Sequence, residues 1–125
     1  MPTIADFRVI EAGSLTFSTP EPNIISPPEV IEYVFSAPAV DAGSMAILLF
    51  RLHPEGETDC RLEMILNGTL IFARTLTPGI ERSMHVAIPR GLVEASDNNL
   101  SVSKVDGHAV LTVSELILFF QAAIA

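Results

Sequence analysis

In "LEMILNGTLIFARTL", residues 62–76, two apolar runs meet at Asn67-Gly68. Asn-Gly between two such runs is the strongest short-range signal for a β-hairpin, because a type I′ turn needs positive φ at both central residues. The stretch therefore reads as strand, turn, strand. Thr69 completes an Asn-X-Thr glycosylation pattern. A tight turn, in a chain whose start shows no secretory leader, favours the turn reading instead.

Working outward, strand signals dominate. "TIADFRVI" sets Ala5, Phe7 and Val9 on one face against Ile4, Asp6, Arg8 and Ile10. "SLTFST" alternates in the same way. Residues 20–28 hold four prolines and read as a loop. "VIEYVFSA" is rich in β-branched and aromatic residues, and "SMAILLFRL" is continuously apolar, as in a strand covered on both faces or at the centre of a sandwich. "HPEGETD" reads as a polar loop. "SMHVAI" puts Met84, Val86 and Ile88 on one face. "PRGLVEASDNN" is a connection with room for one helical turn. "LSVSKV" alternates, and "DGH" reads as a hairpin turn into "AVLTVSELILFFQ". The last segment permits a helix by propensity, but its β-branched lead-in favours a strand. About eight or nine regularly spaced strands, without a long helical period, predict an all-β antiparallel sandwich. Residues 1–125 read as one such domain.

Composition narrows the function. The formal charge of −8 and seven scattered basic residues argue against nucleic acid, where clustered Lys and Arg neutralise phosphates. No apolar run approaches 18 residues, so no membrane insertion is indicated. Cys60 is the only cysteine, which excludes an internal disulfide and a cysteine-cluster zinc site. The compartment stays open, with cytoplasm slightly favoured by the N-terminal sequence.

From residue 61 onward, "RLEMILNGTLIFA", "RSMHVAIPRGLV", "NNLSVSKVDG" and "VLTVSELILFF" resemble the jelly-roll sandwiches of the galactose-binding-domain-like type, common among carbohydrate-binding modules. Asn67-Gly68 matches a strand-ending turn, and Ile88, Pro89, Leu92, Asn99 and Leu100 match the segment that follows. The likeness covers the second half of the chain. It implies a jelly roll and a lectin-like, non-catalytic carbohydrate-binding module. Asn99 is expected to satisfy backbone groups in the turn before its strand.

No nucleophile–base pair, zinc-protease, phosphate-loop or dinucleotide motif is present, so the chain does not read as an enzyme. His53, His85 and His108 are scattered. Such modules often hold a structural calcium, and the acidic residues placed where they put ligands are Glu11 and Glu115, with Asp41 and Asp59 in loops as further candidates. Sugar binding usually draws on aromatic platforms. With no Trp and one Tyr, the candidates here are loop and strand-end groups: His53, Glu57, Asp59, Arg61, Arg74 and Arg82. The surplus of consecutive apolar residues, as at 45–50 and 116–120, supports an alternative. It is a structural or assembly subunit whose outer sheet faces bury against other copies in a homo-oligomer.

Overall fold

The computed structural model describes residues 2–17, 29–56, 58–107 and 110–124. The proline-rich segment, Glu57 and His108 lie outside them. Among the described residues eight strands form: β1 (Thr3–Phe17), β2 (Glu29–Phe35), β3 (Ala46–Glu55), β4 (Cys60–Leu66), β5 (Thr69–Leu76), β6 (Arg82–Ile88), β7 (Asn98–Gly107) and β8 (Val110–Ala123). They make two antiparallel four-stranded sheets, in the orders β1-β8-β3-β6 and β2-β7-β4-β5. Only β4 and β5 are neighbours in both sequence and sheet. Every other connection carries the chain from one sheet to the other, which is the jelly-roll path.

The β4–β5 turn is as its sequence requires. Asn67 has φ 49° and Gly68 has φ 83°, the left-handed pair that a type I′ turn demands. Alternation then sorts the side chains. Along β3, Ala46, Leu48, Phe50, Leu52 and Pro54 are buried, while Ile47, Leu49 and Arg51 face out. Leu62, Met64 and Leu66 of β4, Leu100 and Val102 of β7, and Leu111, Val113, Leu116 and Leu118 of β8 complete the core. Each such aliphatic side chain contributes about 1.5–3 kcal/mol by leaving water. The edge-to-face pair of Phe50 and Phe72, centroids 5.3 Å apart, joins the two layers.

Several expectations change. The two N-terminal segments form one long strand, β1, whose pairing with β8 shifts register between Val9 and Glu11 and again before Ser14. "HPE" belongs to β3 rather than to a loop. Proline is tolerated at position 54 because pairing with β6 ends at Leu52, so its missing N–H leaves no ladder bond unmade on that side. The continuous apolar run of β3 is buried on one face only. Residues 89–97 form turns and bends without a helix. β7 and β8 lie in different sheets, so "DGH" does not join a hairpin. The C-terminal segment is a strand, as its lead-in suggested.

Asn98, rather than Asn99, does the backbone work in the preceding turn. It is fully buried. Its Nδ2 donates to the carbonyls of Phe35 and Glu94 at 3.2 and 2.7 Å, and its Oδ1 accepts from Glu94 N at 2.8 Å. The Asn67 Nδ2 donates to Asn98 Oδ1 at 2.9 Å and to Leu92 O at 2.8 Å, and Asn67 Oδ1 accepts from Asn99 N at 2.8 Å. Both amide protons of Asn67 are thereby engaged, which leaves none for a glycan without breaking the knot. At the β1/β2 side, the Tyr33 hydroxyl donates to Glu11 Oε1 at 3.4 Å. Burial, reinforced by the charge of Glu11 and by this hydrogen bond, pushes the phenol up to about 12.

Two outcomes follow. Asn98→Ala removes the four hydrogen bonds of a buried side chain and should destabilise the fold by about 2–4 kcal/mol in urea unfolding. Because the Tyr33 phenol holds its proton more tightly folded than unfolded, its contribution is complete below pH 10.0 and fades as the pH climbs toward 12. Tyr33→Phe should flatten that alkaline part of a stability–pH curve.

Candidate functional site

The open edge between the sheets, where β5 and β6 face each other, carries a cavity of about 160 Å³ lined by Leu52, Pro54, Leu76 and Ile80, the hydroxyl-bearing Thr75 and Thr77, and Arg74 and Arg82. The two arginines arrive there by register. Arg74 lies opposite Leu62, a core residue, and Arg82 opposite Leu52, another. Cross-strand partners share a face, so both guanidinium stems start on the core side of their strands. Both strands are sheet edges, and the long side chains reach out to solvent while their stems cover apolar surface. The turn between β5 and β6 is pinned by the Gly79 N–H donating to Pro54 O at 2.7 Å.

Electrostatically the cleft is unlike the rest of this acidic chain. Arg8 donates to Ser36 O, Arg51 pairs with Glu81 at 2.6 Å and Glu115 at 3.9 Å, and Arg61 pairs with Glu63 at 3.6 Å. Among the described residues, Arg74, Arg82 and Arg90 have neither an ion pair nor a hydrogen bond, and Arg74 and Arg82 are the two of these that line the cleft. Two uncompensated cations thus border one small cavity. Inward-pointing charges on edge strands also discourage edge-to-edge association, and that role does not depend on the cavity.

Of the sequence-derived binding candidates, only Arg74 and Arg82 come together here. His53 lies on the opposite face of β3 from Leu52 and Pro54, with Nε2 2.5 Å from Glu55 Oε1 and a buried Nδ1 that finds no hydrogen-bond partner among the described residues. Arg61 is on the outer face of β4, Asp59 is in the β3–β4 connection, and Glu57 is outside the described residues. Thr75, Thr77 and Ile80 were not anticipated, although their place between two arginines of core parity could have marked them.

The acidic candidates are dispersed. Glu11 receives the Tyr33 hydroxyl, and Glu115 pairs with Arg51 on the outer face of β8. Asp41 caps its own loop at the opposite end of the sandwich, accepting from Ser44 Oγ at 2.8 Å and Gly43 N at 3.2 Å. The Ser44 hydroxyl, then the Gly43 N–H, hold its carboxyl below the usual range. Among the described residues, no three His, Cys, Asp or Glu side chains are grouped to hold a metal ion. Near the cleft, Cys60 is buried at the start of β4 opposite Leu76. Burial pushes its thiol up, with Lys104 opposing and Asp59 adding to the shift.

No protein-family model matches the chain. No curated protein matches it by sequence. Solved structures do match it in fold. Dimeric latent PorU from Porphyromonas gingivalis aligns with 98% of this chain at a TM-score of 0.70 and 10% identity, and the chain spans 13% of that protein's length. A family 35 carbohydrate binding module from Clostridium thermocellum aligns with 94% of this chain and 99% of its own, at a TM-score of 0.52 and 11% identity. At such identities what is shared is architecture: this chain has a jelly-roll β-sandwich similar to that of a carbohydrate-binding module.

Proposed function

We propose that this chain is a non-catalytic binding module that takes a negatively charged sugar in the cleft between β5 and β6. One observation carries the reading: Arg74 and Arg82, without protein partners, border the same cavity. Guanidinium groups present paired N–H donors whose spacing matches a carboxylate. Thr77 adds a hydroxyl suited to sugar hydroxyls, and Leu52, Leu76 and Ile80 supply an apolar wall for ring C–H groups. The cavity is smaller than the ~300–1,000 Å³ that hold drug-sized ligands, which suits a single terminal unit rather than a long chain. With no Trp, and with Tyr33 at the other side of the sandwich, charge replaces the aromatic stacking that sugar sites usually use. The fold likeness to a carbohydrate binding module adds support at the level of architecture.

Isothermal titration with glucuronate, and with glucose as the uncharged control, tests this. Glucuronate should bind with a dissociation constant on the order of 1 mM or tighter, equivalent to about 4 kcal/mol, and glucose roughly tenfold more weakly. Arg74→Ala and Arg82→Ala should each weaken glucuronate binding about tenfold, the value of a charge-assisted hydrogen bond of about 1.5 kcal/mol or more. Added salt should weaken it further. Absence of binding by the wild-type chain, or binding that ignores both substitutions, rejects the proposal. If the two variants aggregate while ligand affinity is unchanged, edge protection is the role of these arginines.

A further inference from the structure

The outer face of the β1-β8-β3-β6 sheet departs from the usual wet exterior of a sandwich. Register places Phe7, Phe119, Ile47 and Ala87 in one row across the four strands, and Val9, Ile117, Leu49 and His85 in the next. Phe7 is 57% exposed, Ile47 43% and Phe119 39%. The Phe7 and Phe119 rings sit side by side, 6.0 Å apart. The apolar field stops at a bulge in β8, where Glu115 takes the left-handed conformation with φ 57° and pairing with β3 shifts between Leu49 and Arg51. Below it the same face is polar, with Arg51, Ser114, His53, Thr112 and Thr16.

From this we infer that the face is a self-complementary interface to a second copy of this chain. Its large apolar groups alone expose on the order of 500 Å², at the upper end of what a monomer leaves in one patch. A stable interface takes about 800 Å² from each partner, and the surrounding Arg51, Glu81, His85 and Gln121 supply the remainder as a polar rim. The pattern suits a two-fold axis running along the strands at the β8–β3 seam. That axis keeps each row at its own height and lays β8 of one copy over β3 of the other, and β1 over β6. The bulky side, Phe7 and Phe119, then meets the shallower side, Ala87 and Ile47. Ile117 meets Leu49. At the polar boundary, Arg51 of each copy comes over Glu115 of the other, adding a charge pair across the interface to the one within each sheet. Point-group closure makes this a dimer rather than a fibre.

Sedimentation velocity of the wild-type chain from micromolar to millimolar concentration tests it. A dimer should be found, and Ile47→Lys and Phe7→Lys, both at exposed positions, should each weaken association roughly tenfold or more, with circular dichroism unchanged. Arg51→Glu should weaken it, and adding Glu115→Arg to that variant should restore it. On the unaltered chain, the methyl resonances of Ile47, Leu49 and Ile117 should shift with concentration, a readout that does not depend on any variant folding. A monomer throughout that range overturns the inference. So does a dimer that both lysine variants leave intact, or one whose methyl resonances at these positions ignore concentration.

Discussion

The described strands include one pair made locally, and everything else hangs on crossings between two layers. Outside the β4–β5 hairpin, each strand finds its partners in distant parts of the sequence: β1 with β8, β2 with β7, β3 with β6 and β8. Closing such non-local pairs costs chain entropy before burial rewards it. The crossings therefore need to be held in place, and a polar knot does so at one end. Asn67 on the hairpin and Asn98 at the start of β7 join the β2 end, the β6–β7 connection and the hairpin turn through side-chain amide hydrogen bonds. Networks of this kind are worth most when every member is satisfied. The side-chain amides of both asparagines have partners on their oxygen and nitrogen alike.

Much of the fold was legible because alternation is a strong signal and turn chemistry punctuates it. The Asn67-Gly68 turn, the Met84–Val86–Ile88 face and the strand character of residues 110–123 all follow from residue type and spacing. What alternation does not say is which sheet a strand joins. "DGH" looks local, yet β7 and β8 are in opposite layers, and that choice is made by which partners cover each face. Pro54 concealed the end of β3, because sequence does not show that its neighbour strand has already stopped. At the cleft, Arg74 shares the parity of Phe72 and Leu76, and Arg82 that of Met84, Val86 and Ile88. Charges in core register on a strand imply an edge. That those edges face one another across a cavity is a property of the topology, as is the separation of His53 and Arg61 from it.

The two proposed surfaces sit on different parts of the same frame. The cleft opens sideways between β5 and β6, while the apolar rows lie on the outside of the other layer. Pairing through those rows, about an axis along the strands, would put the β6 edges of the two copies on opposite flanks and leave both clefts open. Were the cavity to hold one sugar unit as proposed, it would then act twice on a polymer, and the effective concentration of the second site would raise overall avidity. The acidic balance of the rest of the surface would at the same time disfavour unspecific attachment to polyanions away from the cleft.

Cys60 gives the cleft its own clock. The thiol is buried opposite Leu76, one of the residues lining the cavity, and burial pushes it up from its ordinary value. A covered thiol is out of reach of an alkylating reagent. Modification must wait for local opening around the start of β4, so its rate counts how often this part of the sandwich breathes. The lone cysteine thus turns local opening beside the arginines into a chemical signal, with no label added and no residue changed.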